Sequence, residues 1–366
     1  MKKIITRIGL QLFFLSFFIL QLQAVNDNEE KYTWKIGTGR TVITPNEPTW
    51  MAGYSSRTSP SEGKLHDLWA KALLLEDARG NRSLLITMDI LGVSKDFSDE
   101  VRNLINRKYN LNNSQIILSS SHTHSGPVIS RALQYIYPMT EQDWKVVDKY
   151  TEQLKEKLVE LVDQAIKNLQ PAHIYTQNGI TRFQVNRRNN RENSITPTTE
   201  LKGPNDYAVP VIKIESPDKQ LLAVVFGYAC HPTTLSINMF SGDYAGFAQL
   251  ELEKRYPGVT AMFFQGAGAD QNPLPRRTVP LAIQYGKQLA ATVERVLSEE
   301  MPQQESNLIT RYSEIDLLID DPLPTEELQV IAKGSDYQAR WANGIISELK
   351  TKGHLIKSYQ IGRAHV

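Results

Sequence analysis

A single cysteine, Cys230, is found among the 366 residues, so no intramolecular disulfide can form; export remains open. Charge of either sign is barely in excess. The chain has 41 Lys and Arg against 40 Asp and Glu, a net of +1, which gives no electrostatic reason to bind nucleic acid. No internal repeat or low-complexity tract is present. Long hydrophobic runs are also missing beyond the first 24 residues, so no transmembrane helix is expected. The exception, Met1–Ala24, has a basic start (Lys2, Lys3, Arg7), an apolar centre around Leu12–Leu20 and a small-residue end at Leu22-Gln23-Ala24. It reads as a signal peptide, too short to span a bilayer, and predicts a secreted or periplasmic protein. The rest exceeds a typical domain, yet a single large α/β unit reaches that size.

Four apolar runs end abruptly in polar loops. Gln115–Ser119 gives way to Ser121-His122-Thr123-His124-Ser125-Gly126-Pro127, and Leu221–Tyr228 to Cys230-His231-Pro232. Leu84–Met88 ends in Asp89, and Ala261–Phe264 in the loop 265–273. Near-continuous apolar runs of this length mark strands covered on both faces. In α/β sheets the ligand crevice lies outside the carboxyl ends of the strands. His122 and His124, two apart on an extended segment, face the same way. Neutral imidazole suits zinc. His122, His124, His231, Asp89 and 265–273 therefore form one expected site. For each a plainer reading stands beside it: polar loop histidines, a hydrogen-bonded core His231, a turn-capping Asp89.

Helices alternate with the strands. Thr140 caps a long one with Asp143 at its third position. Val147, Tyr150, Leu154, Leu158, Leu161, Ala165 and Leu169 form its buried stripe, and it stops before Pro171. Asp243 is expected to cap a helix reaching Tyr256, a reading that outweighs a catalytic role. Further helices run from about Ala282 to Glu299 and from Thr325, with a break at Gly334. Asn189–Asp206 reads as a long surface loop able to cover the site, and Pro302–Asn307 as a linker. The expected fold class is α/β: layered mixed β-sheets flanked by helices, with the site at the C-terminal ends of the strands.

Six stretches together resemble the N-terminal catalytic domain of the neutral/alkaline (non-lysosomal) ceramidase family. They are Gly39–Pro45, Met51-Ala52-Gly53-Tyr54, Ser121–Pro127, Val185-Asn186-Arg187, His231-Pro232-Thr233 and Gly242-Asp243-Tyr244-Ala245-Gly246, within about Trp34 to Pro273. The resemblance implies a zinc-dependent amidase that splits the N-acyl bond of ceramide. It implies that His122 and His231 bind zinc, while His124 and Arg187 hold the scissile amide and its developing charge. Arg187 is expected to face the crevice of His124 and Arg188 the solvent; a surface arginine pair is the plainer reading.

Two departures accompany the resemblance. The family's Gly-Asp-x-Ser-Pro loop is Ala269-Asp270-Gln271-Asn272-Pro273 here, so Asn272 stands at the serine position. Asparagine cannot form an acyl intermediate, although it can hydrogen-bond near an oxyanion. A metal-activated water is then the expected nucleophile. The family's glutamate and tyrosine ligands have no counterpart before residue 366. The tail Ile361–Val366 resembles translated sequencing adapter, so residues 25–360 read as an incomplete catalytic domain. From Pro302 onward the chain is expected to pack on the main body, with a strand at Ile315–Ile319; the strand after Tyr359 that should carry the missing carboxylate ligand is expected to be absent, its sheet neighbour left uncovered. Weak zinc binding follows as an expectation, since catalytic zinc takes three protein ligands. Three functions are carried forward. The first is a zinc amidase of ceramide or a related N-acyl lipid, able to contact a membrane surface. The second is a metal hydrolase of another ester or amide, and the third a non-catalytic lipid or carbohydrate binder.

Overall fold

In a computed structural model, residues 33–365 are described, with side chains as far as Tyr359. The expected leader, Met1–Ala24, lies outside them. Strands β1 (Trp34–Val42), β2 (Trp69–Glu76), β3 (Arg82–Met88) and β4 (Ile116–Ser120) come first. They are followed by β5 (Gln170–Ile180), β6 (Gln184–Asn186), β7 (Ala208–Glu215), β8 (Leu221–Tyr228), β9 (Thr260–Gln265) and β10 (Gln271–Pro273). Eight of these form one mixed sheet in the order β4-β3-β2-β1-β5-β7-β8-β9. The pairs β3/β4 and β8/β9 are parallel and the rest antiparallel.

The sheet doubles back on itself at β5. Residues Gln170–Ala172 pair with β1, whereas His173–Ile180 pair with β7. Two leaves result, and alternation along each strand sends side chains to opposite faces. Ala70, Ala72, Leu74, Leu84 and Ile86 of the first leaf pack outward. They meet Phe97 and Val101 of α1 (Lys95–Tyr109) and Leu154 and Leu158 of α2 (Glu141–Lys167). Val224, Phe226, Ala261 and Phe263 of the second leaf pack outward against α3 (Asp243–Arg255) and α4 (Val279–Leu297). Between the leaves lie Trp34, Ile36, Leu73, Ile174, Ile214, Val225 and Met262. Fully burying such a side chain contributes about 1.5–3 kcal/mol. This four-layer mixed α/β architecture is the expected class, and apolar side chains on both faces explain the unbroken apolar runs.

α2 begins as the sequence predicts. Thr140 accepts from the Asp143 amide, and Asp143 returns the bond to the Thr140 N–H at 2.7 Å. Gly37 and Gly39 of β1 let its backbone approach: a Cβ on Gly37 would lie 1.8 Å from the Ala165 carbonyl oxygen. Three expectations change. Gln115 belongs to a short 3-10 turn, and β4 is an edge strand in which only Ile116 is fully buried. α4 starts at Val279, earlier than expected, because Thr278 caps it and Pro280 fits its first turn. Residues 271–273 form a strand, not loop, paired with β6 in register Asn272↔Val185.

Beyond residue 302, β11 (Arg311–Leu318), α5 (Thr325–Ile331), α6 (Tyr337–Lys352) and β12 (Ser358–His365) complete the chain. Gly334 falls between α5 and α6, at the expected break. The segment around and after Tyr359 does form a strand: β12 pairs antiparallel with β11 from Ser358 to His365, because ladder pairing needs only backbone donors and acceptors. α6 packs on the 131–137 segment through Arg340, which donates to the carbonyls of Tyr135 and Ile136.

Candidate metal and substrate site

The leaves bring the two histidine loops together. His122 and His124 follow β4, His231 follows β8, and their ligand atoms all lie within 4.8 Å of one another. Ring centroids are 5.0 Å apart for His122–His231 and 5.7 Å for His124–His231. The His124 amide donates to the Pro232 carbonyl, which ties one loop to the other across the leaves. His122 holds a left-handed backbone at φ 62°, a region histidine tolerates better than most residues. Asp243 (φ 55°) and Arg277 (φ 89°) adopt it nearby. Such strained positions cluster where the surrounding structure serves a site.

Two of the three rings are fixed by backbone. His122 Nδ1 meets the Leu91 carbonyl at 2.7 Å and His231 Nδ1 meets the Gly268 carbonyl at 2.8 Å. Each carbonyl requires an N–H on Nδ1, so each Nε2 carries a free lone pair, the arrangement that orients metal-binding histidines. His124 is different. Both its ring nitrogens are buried and make no hydrogen bond of ordinary geometry, the Gly53 backbone lying close beside the ring. Burial and the neighbouring His122 and His231 push its pKa down to about 3. Burial likewise pushes His231 down to about 4, against the pull of the Gly268 carbonyl. Neutral imidazoles are what a metal needs. Three imidazoles converging from two leaves, one with orphaned nitrogens, fit a divalent ion.

The segments around the cluster come from across the chain. Residues 50–53 run beside 126–128, with Ala52 donating to the Gly126 carbonyl and Val128 to that of Trp50. Gly53, at φ 110°, lies so close that a Cβ there would sit 2.6 Å from the His124 ring. Tyr54 packs on His124 at 5.0 Å between centroids, and the guanidinium of Arg277 lies 5.5 Å from the Tyr54 ring. Beside His122 opens a cleft of about 330 Å3 lined by Leu91, Val93, Ile129, Ala132, Leu133 and Tyr359. No local sequence pattern marked this cleft or the Tyr54–Arg277 stack. Arg276-Arg277, separated from the 265–273 stretch only by Leu274-Pro275, was the available signal.

The other expected residues separate. Asp89 does not join the cluster. Its carboxylate is buried and accepts from the Trp69 amide at 3.0 Å and the Gln249 side chain at 3.3 Å, which makes it a structural tie. Asp243 is not the helix cap, a place Gly242 takes. Its buried carboxylate instead accepts from the Leu235 and Tyr244 amides and so holds the loop that follows His231. Asn272 is buried on β10 and its Oδ1 accepts from the Thr233 hydroxyl at 3.4 Å. Arg187 lies near enough for its charge to act on both His124 and His231. Strand alternation does not govern it, since β6 ends at Asn186 and residues 187–189 form a turn; Arg187 and Arg188 are both exposed. The 189–206 loop is clamped at the mouth by Glu192, which takes Arg276 Nε on both oxygens at 3.0 Å. Cys230 is fully buried and its pKa is raised well above the ordinary thiol value by burial, so it offers no thiolate.

A family model described as "Neutral/alkaline non-lysosomal ceramidase, N-terminal" matches residues 34–273. Neutral ceramidase A of Dictyostelium discoideum is 24% identical over 258 residues, covering 68% of this chain and 36% of that protein. Neutral ceramidase of Pseudomonas aeruginosa is 23% identical over 257 residues, covering 66% and 37%. The chain thus spans little more than a third of the length of these relatives. Among solved structures, a ceramidase complexed with C2 superposes with a TM-score of 0.67 at 19% identity, covering 78% of this chain and 47% of that one. The crystal structure of the Pseudomonas aeruginosa neutral ceramidase gives 0.66 at 21% identity, covering 78% and 48%. With a family match over 34–273, the chain belongs to the neutral/alkaline non-lysosomal ceramidase family.

Proposed function

We propose that this chain is part of an exported, zinc-dependent amidase that cleaves the N-acyl bond of ceramide or a related N-acyl lipid. The observation that carries the reading is the His122–His124–His231 cluster with an apolar cleft opening at His122. His122 and His231, whose rings are fixed by backbone carbonyls, would hold the ion. A bound divalent ion would polarise the amide carbonyl and make water a usable nucleophile near neutral pH. His124, which has no tether, faces the space where the substrate amide would lie. Arg187 stabilises charge on the amide oxygen as a permanent cation. Asn272 supports that oxygen by hydrogen bonding, in place of the family's serine. The cleft, at about 330 Å3, falls within the range of ligand pockets and takes the hydrocarbon chain.

The test is zinc content together with fatty acid release from N-acyl sphingosine. With the natural downstream sequence restored, near-stoichiometric zinc and release that a chelator abolishes are expected, whereas residues 1–366 alone should hold zinc weakly and release little. Asn272→Ala should lower turnover about 10²–10³-fold, as loss of one oxyanion donor does. Unchanged turnover would remove Asn272 from the chemistry. A second reading, a metal hydrolase of another amide or ester, draws on Asn272 itself. Activity on N-acyl amino acids or simple esters without release from N-acyl sphingosine would favour it.

A further inference from the structure

The His124 ring makes no ordinary hydrogen bond, so its place depends on its backbone and on what packs against it. That backbone is gripped on both sides. Its amide donates to the Pro232 carbonyl at 3.3 Å, and its carbonyl accepts from Arg57 Nη2 at 2.9 Å. Arg57 reaches this point from the segment that follows Gly53 and Tyr54, and its other arm holds a third segment. Nη1 donates to the side-chain oxygen of Asn238 at 2.8 Å and to the Ile237 carbonyl at 3.2 Å, in the loop that follows His231. Asn238 returns the tie by donating to the Pro60 carbonyl at 2.6 Å. The guanidinium also lies 5.5 Å from the centre of the Tyr54 ring, which itself packs on His124.

Burying this cation is unfavourable on its own. Only 7% of Arg57 is exposed, its Nε has no acceptor, and the three acceptors it does have are neutral oxygens. Burial disfavours the charge and pushes its pKa down. A buried charge without a carboxylate partner is costly, and departures of this kind gather at functional sites. What the side chain secures here is the meeting of three segments, one carrying His124 and one following His231. Arginine suits the task because its rigid fork serves two directions at once, which a single ammonium cannot.

We propose that Arg57 is the positioning residue of the site, fixing where the His124 ring stands relative to His231. It acts on the reacting atoms only through His124, and so rests on the reading of His124 as the residue that faces the substrate amide. A displacement of about 1 Å in such a group can cost about 10²-fold in rate.

The histidine ring signals in nuclear magnetic resonance test this first, without turnover. Seven histidines are few enough to assign by single substitution in protein labelled at histidine. In Arg57→Ala of residues 1–366, the His124 ring signal should shift and broaden. Those of His122 and His231, fixed by their own backbone carbonyls, should move much less. With the natural downstream sequence restored and zinc bound, Arg57→Ala should lower kcat about 30-fold at unchanged zinc content and nearly unchanged KM. Arg57→Lys keeps the charge and one of the two arms; it should disturb the same signal less, and it is read in the same way where Arg57→Ala does not fold. An unmoved His124 signal in the folded variants, or all three signals disturbed alike, would overturn the proposal. A loss of zinc matching the loss of kcat would overturn it too, as would failure of both variants to fold, which would make Arg57 a part of the frame alone. If the restored wild type released no fatty acid, the amidase reading would fall, and the ring signals would still decide whether Arg57 places His124.

Discussion

His122 and His231 differ from His124 in what holds their rings. A backbone carbonyl fixes Nδ1 of the first two, at Leu91 and Gly268, while His124 makes no hydrogen bond of ordinary geometry at either nitrogen. Orienting bonds of this kind belong to metal ligands, and their loss usually costs 10–100-fold in metal affinity. His122→Ala and His231→Ala should therefore each lose zinc on dialysis. His124→Ala should keep it while turnover falls about 100-fold or more. Zinc content by atomic absorption, beside fatty acid release, checks both; equal zinc loss in all three variants would make His124 a third ligand. The histidines were legible in the sequence because each follows an apolar run, and a strand end is where ligands gather. Asp89 followed the same rule and misled. Its side chain turns back to the Trp69 amide, a choice that depends on a residue 20 positions earlier. Tyr54 and Arg277 could not be paired from sequence, since 223 positions separate them.

Two elements show how the frame is held. Where β1 crosses α2, Gly37 leaves no room for a side chain, its notional Cβ lying 1.8 Å from the Ala165 oxygen. Gly37→Ala must push strand from helix. It should destabilise by about 3 kcal/mol or more, at the upper end of what overpacking costs. Chemical denaturation reads this directly, and an unchanged midpoint would mean the contact is loose in solution. At the β2–β3 turn, Asp77 accepts from the amides of Arg79, Asn81 and Leu308 and from the Asn81 side chain, all at 2.8–3.0 Å. Burial alone would raise its pKa, but these donors outweigh it and hold the carboxylate below its ordinary 3.8. A depressed carboxylate contributes stability above the unfolded pKa and loses it as pH falls through the folded value. Asp77→Ala should cost about 3 kcal/mol at neutral pH and much less well below pH 3.8. Asp77→Asn should flatten the same acid limb. A wild-type-like acid limb in either variant would discount the network. α2 was readable from its capping pair and helical period. The role of Asp243 was not, because its left-handed backbone and its bond to Leu235 depend on a loop folded beneath it.

Across the molecule, the histidine cluster lies at strand ends of both leaves, β4 in one and β8 in the other, brought face to face by the fold-over of the sheet at β1 and β5. That fold-over could not be read from sequence, since β1 and β5 pair over only the three partners Trp34↔Ala172, Lys35↔Pro171 and Ile36↔Gln170. Apolar runs reveal strands but say nothing of where a sheet folds over. His122 and His124 come from the first leaf and His231 from the second, so an ion held by His122 and His231 would staple one leaf to the other. A ligand that binds only the folded state stabilises it by mass action. Zinc at about 100 times its Kd would add about 2.7 kcal/mol, a rise of several degrees in Tm for a chain of this size. The metal-free Tm should move little in His231→Ala, because its ring packs at the site and not in the apolar layer between the leaves. The zinc-dependent rise should vanish in His231→Ala and in His122→Ala alike, since each leaf supplies one end of the staple. Thermal scans of the metal-free and zinc-titrated proteins decide this, and a full rise in either variant would show that zinc binds elsewhere.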